Sequence, residues 1–254
     1  MRRLLLPVAL LSLLSACGGG TTTTTAPSAP TQVLDGITGA PVPGEPLEAA
    51  PGDRVRVQRA GYLRRDTIVP SDRTITLWPM TVDEAFVRTL VYGEVGAGHR
   101  LHRWATDTVP VARDFPAEVI EAVRPWVDLV PSDQPRMTIV VDPGDPLFAQ
   151  FTPDTIGVAF REIAPADARI VSVRLVFRSA DAVRLPGSLL HEVGHGLGLS
   201  HSPRRQDLMF PSTARTTTVF SADERVLLSM MYDRRRPGQV APDDDQALGP
   251  AQFP

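Results

Sequence analysis

The chain has 254 residues, 43% hydrophobic and 22% charged, enough for one full domain with a sizeable core and a smaller companion. Its 26 basic residues are all arginine and face 29 acidic ones, a mildly acidic balance with no electrostatic footprint for nucleic acid. A single cysteine excludes an intrachain disulfide framework and a cysteine-based zinc knuckle, and the lack of asparagine excludes N-glycosylation.

Residues 1–17 read as an export signal. Arg2 and Arg3 form a positive start, and Leu4 to Leu14 is an apolar run of eleven residues. A transmembrane helix needs about 20, so a cleaved signal peptide is expected. The run ends in Leu14-Ser15-Ala16-Cys17, which resembles the lipobox of bacterial lipoproteins. That resemblance implies cleavage before Cys17 and acylation of its thiol; the alternative is an ordinary small-residue cleavage site that happens to contain a cysteine. More than one acyl chain, at about 0.8 kcal/mol per buried methylene, would anchor the mature protein at the cell envelope. Gly18 is not the aspartate of an inner-membrane retention signal, so the outer membrane is favoured where a cell has two. Residues 18–30 are Gly, Thr, Ala, Pro and Ser, a tether with little apolar surface to offset its ordering entropy.

Residues 31–80 predict a small β-rich region. Val55 to Gln58 and Thr74 to Trp78 alternate with the period of half-buried strands. The turn-rich run from Asp35 to Gly44, with Gly61-Tyr62, resembles the carboxypeptidase regulatory-like β-sandwich; equally, these strands read as padding for the segment that follows. Residues 81–236 predict a mixed α/β domain. Glu84 to Tyr92 has apolar residues at helical spacing, Thr108 to Val111 is a short strand, and Pro116 to Leu129 is a helix kinked or shortened by Pro125. Strands are expected at Met137 to Val141, Ile156 to Phe160 and Arg169 to Arg178. The last patterned segment, Ser221 to Tyr232, opens on a capping box of Ser221 and Glu224. Residues 237–254, with Asp243 to Asp245, read as a disordered acidic tail.

The chemistry lies in the eleven residues from His191 to His201, HEVGHGLGLSH. On a helix, His191 and His195 are one turn apart and project from one face, as two imidazoles on one metal require. A helix continued to His201 would carry that ring about 15 Å along the axis. Gly198 is the residue placed to end the helix, since it enters the left-handed region without steric cost, so His201 can return as a third ligand. Three imidazoles leave a fourth zinc position to water, the pattern of a catalytic rather than a structural site. Glu192, beside the first ligand, is placed to act as general base without being a ligand.

This run matches HExxHxxGxxH, and the chain thereby resembles the metzincin clan of zinc endopeptidases, most closely the matrixins and their bacterial relatives. Asp207-Leu208-Met209-Phe210-Pro211 resembles the clan's Met-turn, whose methionine lies beneath the zinc histidines. Phe210 replaces the tyrosine found there in several families, so no tyrosine ligand is expected from it. The resemblance spans roughly Arg103 to Arg234. It implies an α+β zincin fold: a twisted mixed sheet, an active-site helix and a C-terminal helix, here preceded by the β-rich region. It further implies one catalytic Zn2+ on His191, His195 and His201, Glu192 as base, and a peptide or protein substrate paired along Ile156 to Phe160 as an exposed edge strand. The rival from another class is a zinc-stabilised surface binding or adhesion module without turnover.

Asp142, Asp145 and Asp154 are candidate Ca2+ ligands, as some relatives use, but their spacing matches no calcium loop. His99 and His102 read as solvated, Trp104 and Trp126 as core residues, and Arg234 to Arg236 as decoration of the last helix's end. Animal matrixins resemble one another in a propeptide cysteine that blocks the zinc. Cys17 alone cannot supply it. Either the enzyme is made active, or the β-rich region shields the cleft. Native substrate and oligomeric state are not legible.

Overall fold

The computed structural model describes residues 29–79, 84–92, 100–233 and 237–238; the export segment with Cys17, nearly all of the tether, His99, Arg234 to Arg236 and the acidic tail beyond Gly238 lie outside them. Four short strands come first. β1 (Gln32–Asp35) pairs in parallel with β4 (Thr74–Leu77), and β2 (Arg54–Val57) pairs antiparallel with β3 (Arg65–Ile68). Their alternating apolar residues, Val33, Val57, Ile75 and Leu77, meet Val42 and Val69 in a small core of their own. Leu63 and Trp78 instead join the main core, so this region is packed onto the rest of the molecule.

The main sheet has five strands in the order β6-β5-β7-β9-β8. β5 (Thr108–Val111), β6 (Asp128–Pro131), β7 (Met137–Val141) and β9 (Ile170–Phe177) run parallel, while β8 (Gly157–Ile163) runs antiparallel to β9 at the edge. Val173, Leu175 and Phe177 alternate along β9 and point to the face covered by α4 (Ser188–Gly196), in a core that α5 (Ala222–Asp233) also joins. Leu189, Val193 and Leu197 from the first, and Leu227, Met230 and Met231 from the second, close that core. On the opposite face Val158 and Val176 pack with Phe148. Among the described residues no strand pairs with the outer side of β8, which leaves that edge available to an extended chain, as the resemblance implies for Ile156 to Phe160.

The helix expected over Pro116 to Leu129 is shorter. α2 spans Ala117–Val123, and its end is followed at once by Pro125 and then by β6, a strand not expected from the sequence. Proline lacks the donor a continuing helix needs, and Leu129, the one fully buried residue of β6, gave no period of its own. Glu84 to Tyr92 is helical as expected, with α1 (Glu84–Val87) continuing into a π-helical turn over Arg88–Tyr92. A short helix, α3 (Ala180–Arg184), capped by the Ser179 side chain, links β9 to α4.

Because Trp78 is buried in the main core, Trp78→Ala is expected to cost about 3–5 kcal/mol of stability. Urea unfolding should show one transition moved to lower denaturant; a separate early transition of the N-terminal strands alone would show that they are not packed onto the core.

Candidate metal centre

α4 is amphipathic and nearly all buried, with Leu189, Leu190 and Val193 turned to the core and His191 and His195 on the face beneath the edge strand. It ends where the sequence expects. Gly198 has φ +112°, the Leu199 amide donates to the Gly194 carbonyl (3.0 Å), and the Gly198 amide donates to the His195 carbonyl (2.9 Å). This six-to-one and five-to-two pair is the Schellman arrangement. A Cβ at Gly198 would run into the His102 carbonyl oxygen, so both the backbone angle and the space demand glycine. His102, expected to be solvated, is therefore half-buried against the helix end.

The turned chain is then pinned residue by residue. The Ser200 amide donates to the Leu90 carbonyl (2.7 Å) and the Ser202 amide to the Met209 carbonyl (2.9 Å). Between them His201 comes back to the helix. The ring centroids of His191, His195 and His201 lie 4.8, 5.4 and 4.6 Å apart, and their candidate ligand atoms all lie within 4.8 Å of one another. Among the described residues this is the group of three or more metal-ligating side chains that can hold a metal ion.

The tautomers follow from the partners. His191 Nδ1 stands 2.7 Å from the Leu208 carbonyl and His195 Nδ1 2.8 Å from the Leu199 carbonyl. A carbonyl only accepts, so each Nδ1 carries the proton and each Nε2 keeps its lone pair. The Nε2 atoms of His195 and His201 are 3.1 Å apart. Two nitrogens held tetrahedrally at about 2.0–2.1 Å from one zinc stand about 3.3 Å apart, so the pair fits a shared ion. Burial holds the His191 imidazole down to about 4 and that of His195 well below its usual range, so both are neutral at neutral pH, the form that ligates metal.

Met209 lies under the helix, fully buried, in a tight turn closed by the Phe210 amide on the Asp207 carbonyl (3.3 Å). A Cβ at Gly194, between the two histidines, would collide with Met209 Sδ, so the methionine's place depends on that glycine. The turn is held from α5. Glu224 closes the predicted capping box, accepting from the Ser221 amide (2.7 Å) while its own amide donates to Ser221 Oγ (3.2 Å). The same carboxylate also accepts from the amides of Leu208 (3.0 Å) and Met209 (2.7 Å). Glu224 is fully buried, which pushes its carboxyl up while the three amides pull it down. The sequence pattern pointed to its role at the helix start; the two contacts to the turn, 15 and 16 residues away, carry no local signal.

Glu192 is buried beside His191, and burial pushes it up to about 8 against the pull of the Arg215 charge and the Ala159 amide of β8. It lines a cavity of about 320 Å³ with all three histidines, the strand from Ile156 to Ala159, Ser212, Arg161 and Arg215. Every lining residue lies at or beyond Phe151, so among the described residues the N-terminal strands do not cover the cleft.

Residues 119–244 match the matrixin family model, peptidase family M10. This part of the chain is a matrixin-like metzincin domain. The match takes in α2, the sheet from β6 onward, α4, the Met209 turn and α5. No curated protein matches the chain. The matrixin domain does not gather the aspartates considered for calcium: Asp145 is taken by Arg174 (2.5 Å) and the Leu147 amide (2.9 Å), and Asp142 accepts from the Gly144 amide (2.9 Å). Trp104 is a core residue as expected, its indole donating to the Gly196 carbonyl (2.9 Å); Trp126 is partly buried and donates to Ser229 Oγ (2.9 Å).

Glu224→Ala strands three backbone donors in a buried place, at about 1–3 kcal/mol each. The variant is expected to lose at least about 3 kcal/mol in urea unfolding and to bind zinc about 10–100-fold more weakly in a chelator competition. Native zinc affinity in the variant would show that the turn does not support the histidines.

Proposed function

We propose that the chain is a zinc-dependent endopeptidase that hydrolyses peptide bonds, with His191, His195 and His201 holding one Zn2+ and Glu192 acting as general base. The observation that carries this reading is the convergence of three imidazoles on one cavity with a buried carboxylate beside them, within a matrixin-like domain. When bound, zinc supplies Lewis-acid polarisation of a carbonyl and makes solvent acidic enough to be nucleophilic at neutral pH. The chain's own groups do the rest. β8 offers an open edge for backbone pairing, which lays an extended peptide across the cavity mouth. Burial alone pushes Glu192 up, whereas the charge of Arg215 and of a divalent ion beside it would hold it ionised. The carboxylate then takes the proton from the attacking water and returns it to the departing amine nitrogen, starting and ending in the same state. Gly198, by turning the chain, and Met209, by flooring the helix, keep the three rings in place.

The reading includes the chain's surroundings. The N-terminal sequence supports export and lipid attachment through Cys17, the Gly/Thr-rich segment supports a tether of roughly 20 Å, and the substrate is then a peptide or protein outside the cytoplasm. We divide the chain as signal 1–17, tether 18–30, β-rich region 31–80, peptidase domain 81–236 and tail 237–254.

Glu192→Ala should keep zinc yet lose about 10²–10⁴-fold in cleavage of a mixed peptide library, and chelation should abolish cleavage by the native chain. Equal cleavage by both forms at equal zinc content would remove Glu192 from the mechanism. Absence of any chelator-sensitive cleavage would leave a zinc-stabilised binding module in its place.

A further inference from the structure

The cavity over the histidines has two cations in its wall. Arg161 comes from the edge strand β8, and Arg215 from the loop that follows the Met209 turn, so they reach the cavity from separate elements. Both side chains are half-buried. Among the described residues, Arg161 Nη1 and Arg215 Nε are each shielded from solvent with no hydrogen-bond acceptor, while Arg215 Nη1 donates to the Ser212 carbonyl (3.4 Å). A buried guanidinium N–H without an acceptor is costly; three further arginines also shield one such nitrogen, and Arg161 and Arg215 are set apart by lining the cavity. Their charges act on different parts of the site: Arg215 on Glu192 and His191, Arg161 on His195 and His102. The acids on the cavity wall give these two shielded nitrogens no acceptor. Glu192 attracts Arg215 by charge without accepting from its Nε, and Asp154 is an exposed rim residue bonded to Thr152.

We propose that this cleft selects acidic peptides, with Arg215 and Arg161 as two separate contacts for Asp or Glu side chains near the scissile bond. A carboxylate is the planar, two-oxygen acceptor that a guanidinium fork fits, and it supplies the partner each buried nitrogen lacks. Two cations reached from different elements imply two positions of preference along one extended peptide. The inference rests on the cleft being a peptide site, but it concerns binding and does not require turnover.

The test uses the zinc-loaded chain and a matched peptide series with Glu, Gln or Arg at each position around a cleaved bond. Two readouts are taken: kcat/KM, and Kd for the labelled peptides on the uncleaving Glu192→Ala form. Glu is expected to exceed Gln by about tenfold at two positions in both readouts, the scale of one charged hydrogen bond. Arg215→Gln and Arg161→Gln should each erase the preference at one position and keep it at the other. Arg215→Lys should retain it, and Arg215→Glu should turn it towards Arg; zinc content checks that each variant is folded. Equal binding and cleavage of Glu and Gln peptides, or a preference that survives both Arg→Gln changes, would overturn the proposal. Acid-selective binding without any cleavage would sink the hydrolase reading and leave this one standing, whereas cleavage without acid selectivity would do the reverse.

Discussion

Two ring-to-backbone hydrogen bonds hold the centre together: His191 Nδ1 to the Leu208 carbonyl and His195 Nδ1 to the Leu199 carbonyl. Each sets a tautomer, aims an Nε2 lone pair into the cavity, and joins the helix to a loop that the sequence places further on. The first acceptor lies in the Met209 turn and the second in the helix-ending turn. The histidines are thus oriented by the two loops that must already be correctly folded. A metal ligand whose second nitrogen is engaged this way is better defined and more basic than a free imidazole.

Those loops are themselves braced by buried acids. Glu224 receives the amides of Leu208 and Met209 as well as that of Ser221, and Asp207 receives the Ser202 hydroxyl (2.5 Å). The last helix therefore does more than fill the core, since its first turn is the support on which the methionine turn rests. Above the helix, β8 closes the site with Ala159 beside Glu192, and among the described residues no strand pairs with its outer edge. Rigid elements lie below the cavity and an unpaired strand edge above it, a division suited to holding chemistry still while admitting an extended chain.

Much of this was legible because it is local. The one-turn spacing of His191 and His195, the glycine three residues on, and the Ser221–Glu224 box each depend on neighbours within one or two turns of helix. The edge strand was legible by resemblance, and the mixed five-stranded sheet agrees with the α+β fold that resemblance implied. Long-range facts were not legible. Nothing near Glu224 says that it holds residues 15 and 16 positions away, and nothing in Arg161 or Arg215 says that they share a cavity. β6 was hidden because its single fully inward residue, Leu129, has no periodic neighbours, and parallel pairing with β5 supplies its order. The glycine at 194 reads as an ordinary helix position until Met209 is seen against it.

The central claim is that three imidazole Nε2 atoms share one zinc ion with a position left open. X-ray absorption at the zinc edge, on the chain carrying one equivalent of metal, tests it most directly. Three imidazole nitrogens at about 2.0–2.1 Å and one further light-atom ligand are the expected result. Failure to bind zinc at stoichiometry, or a first shell without three imidazoles, would contradict the account.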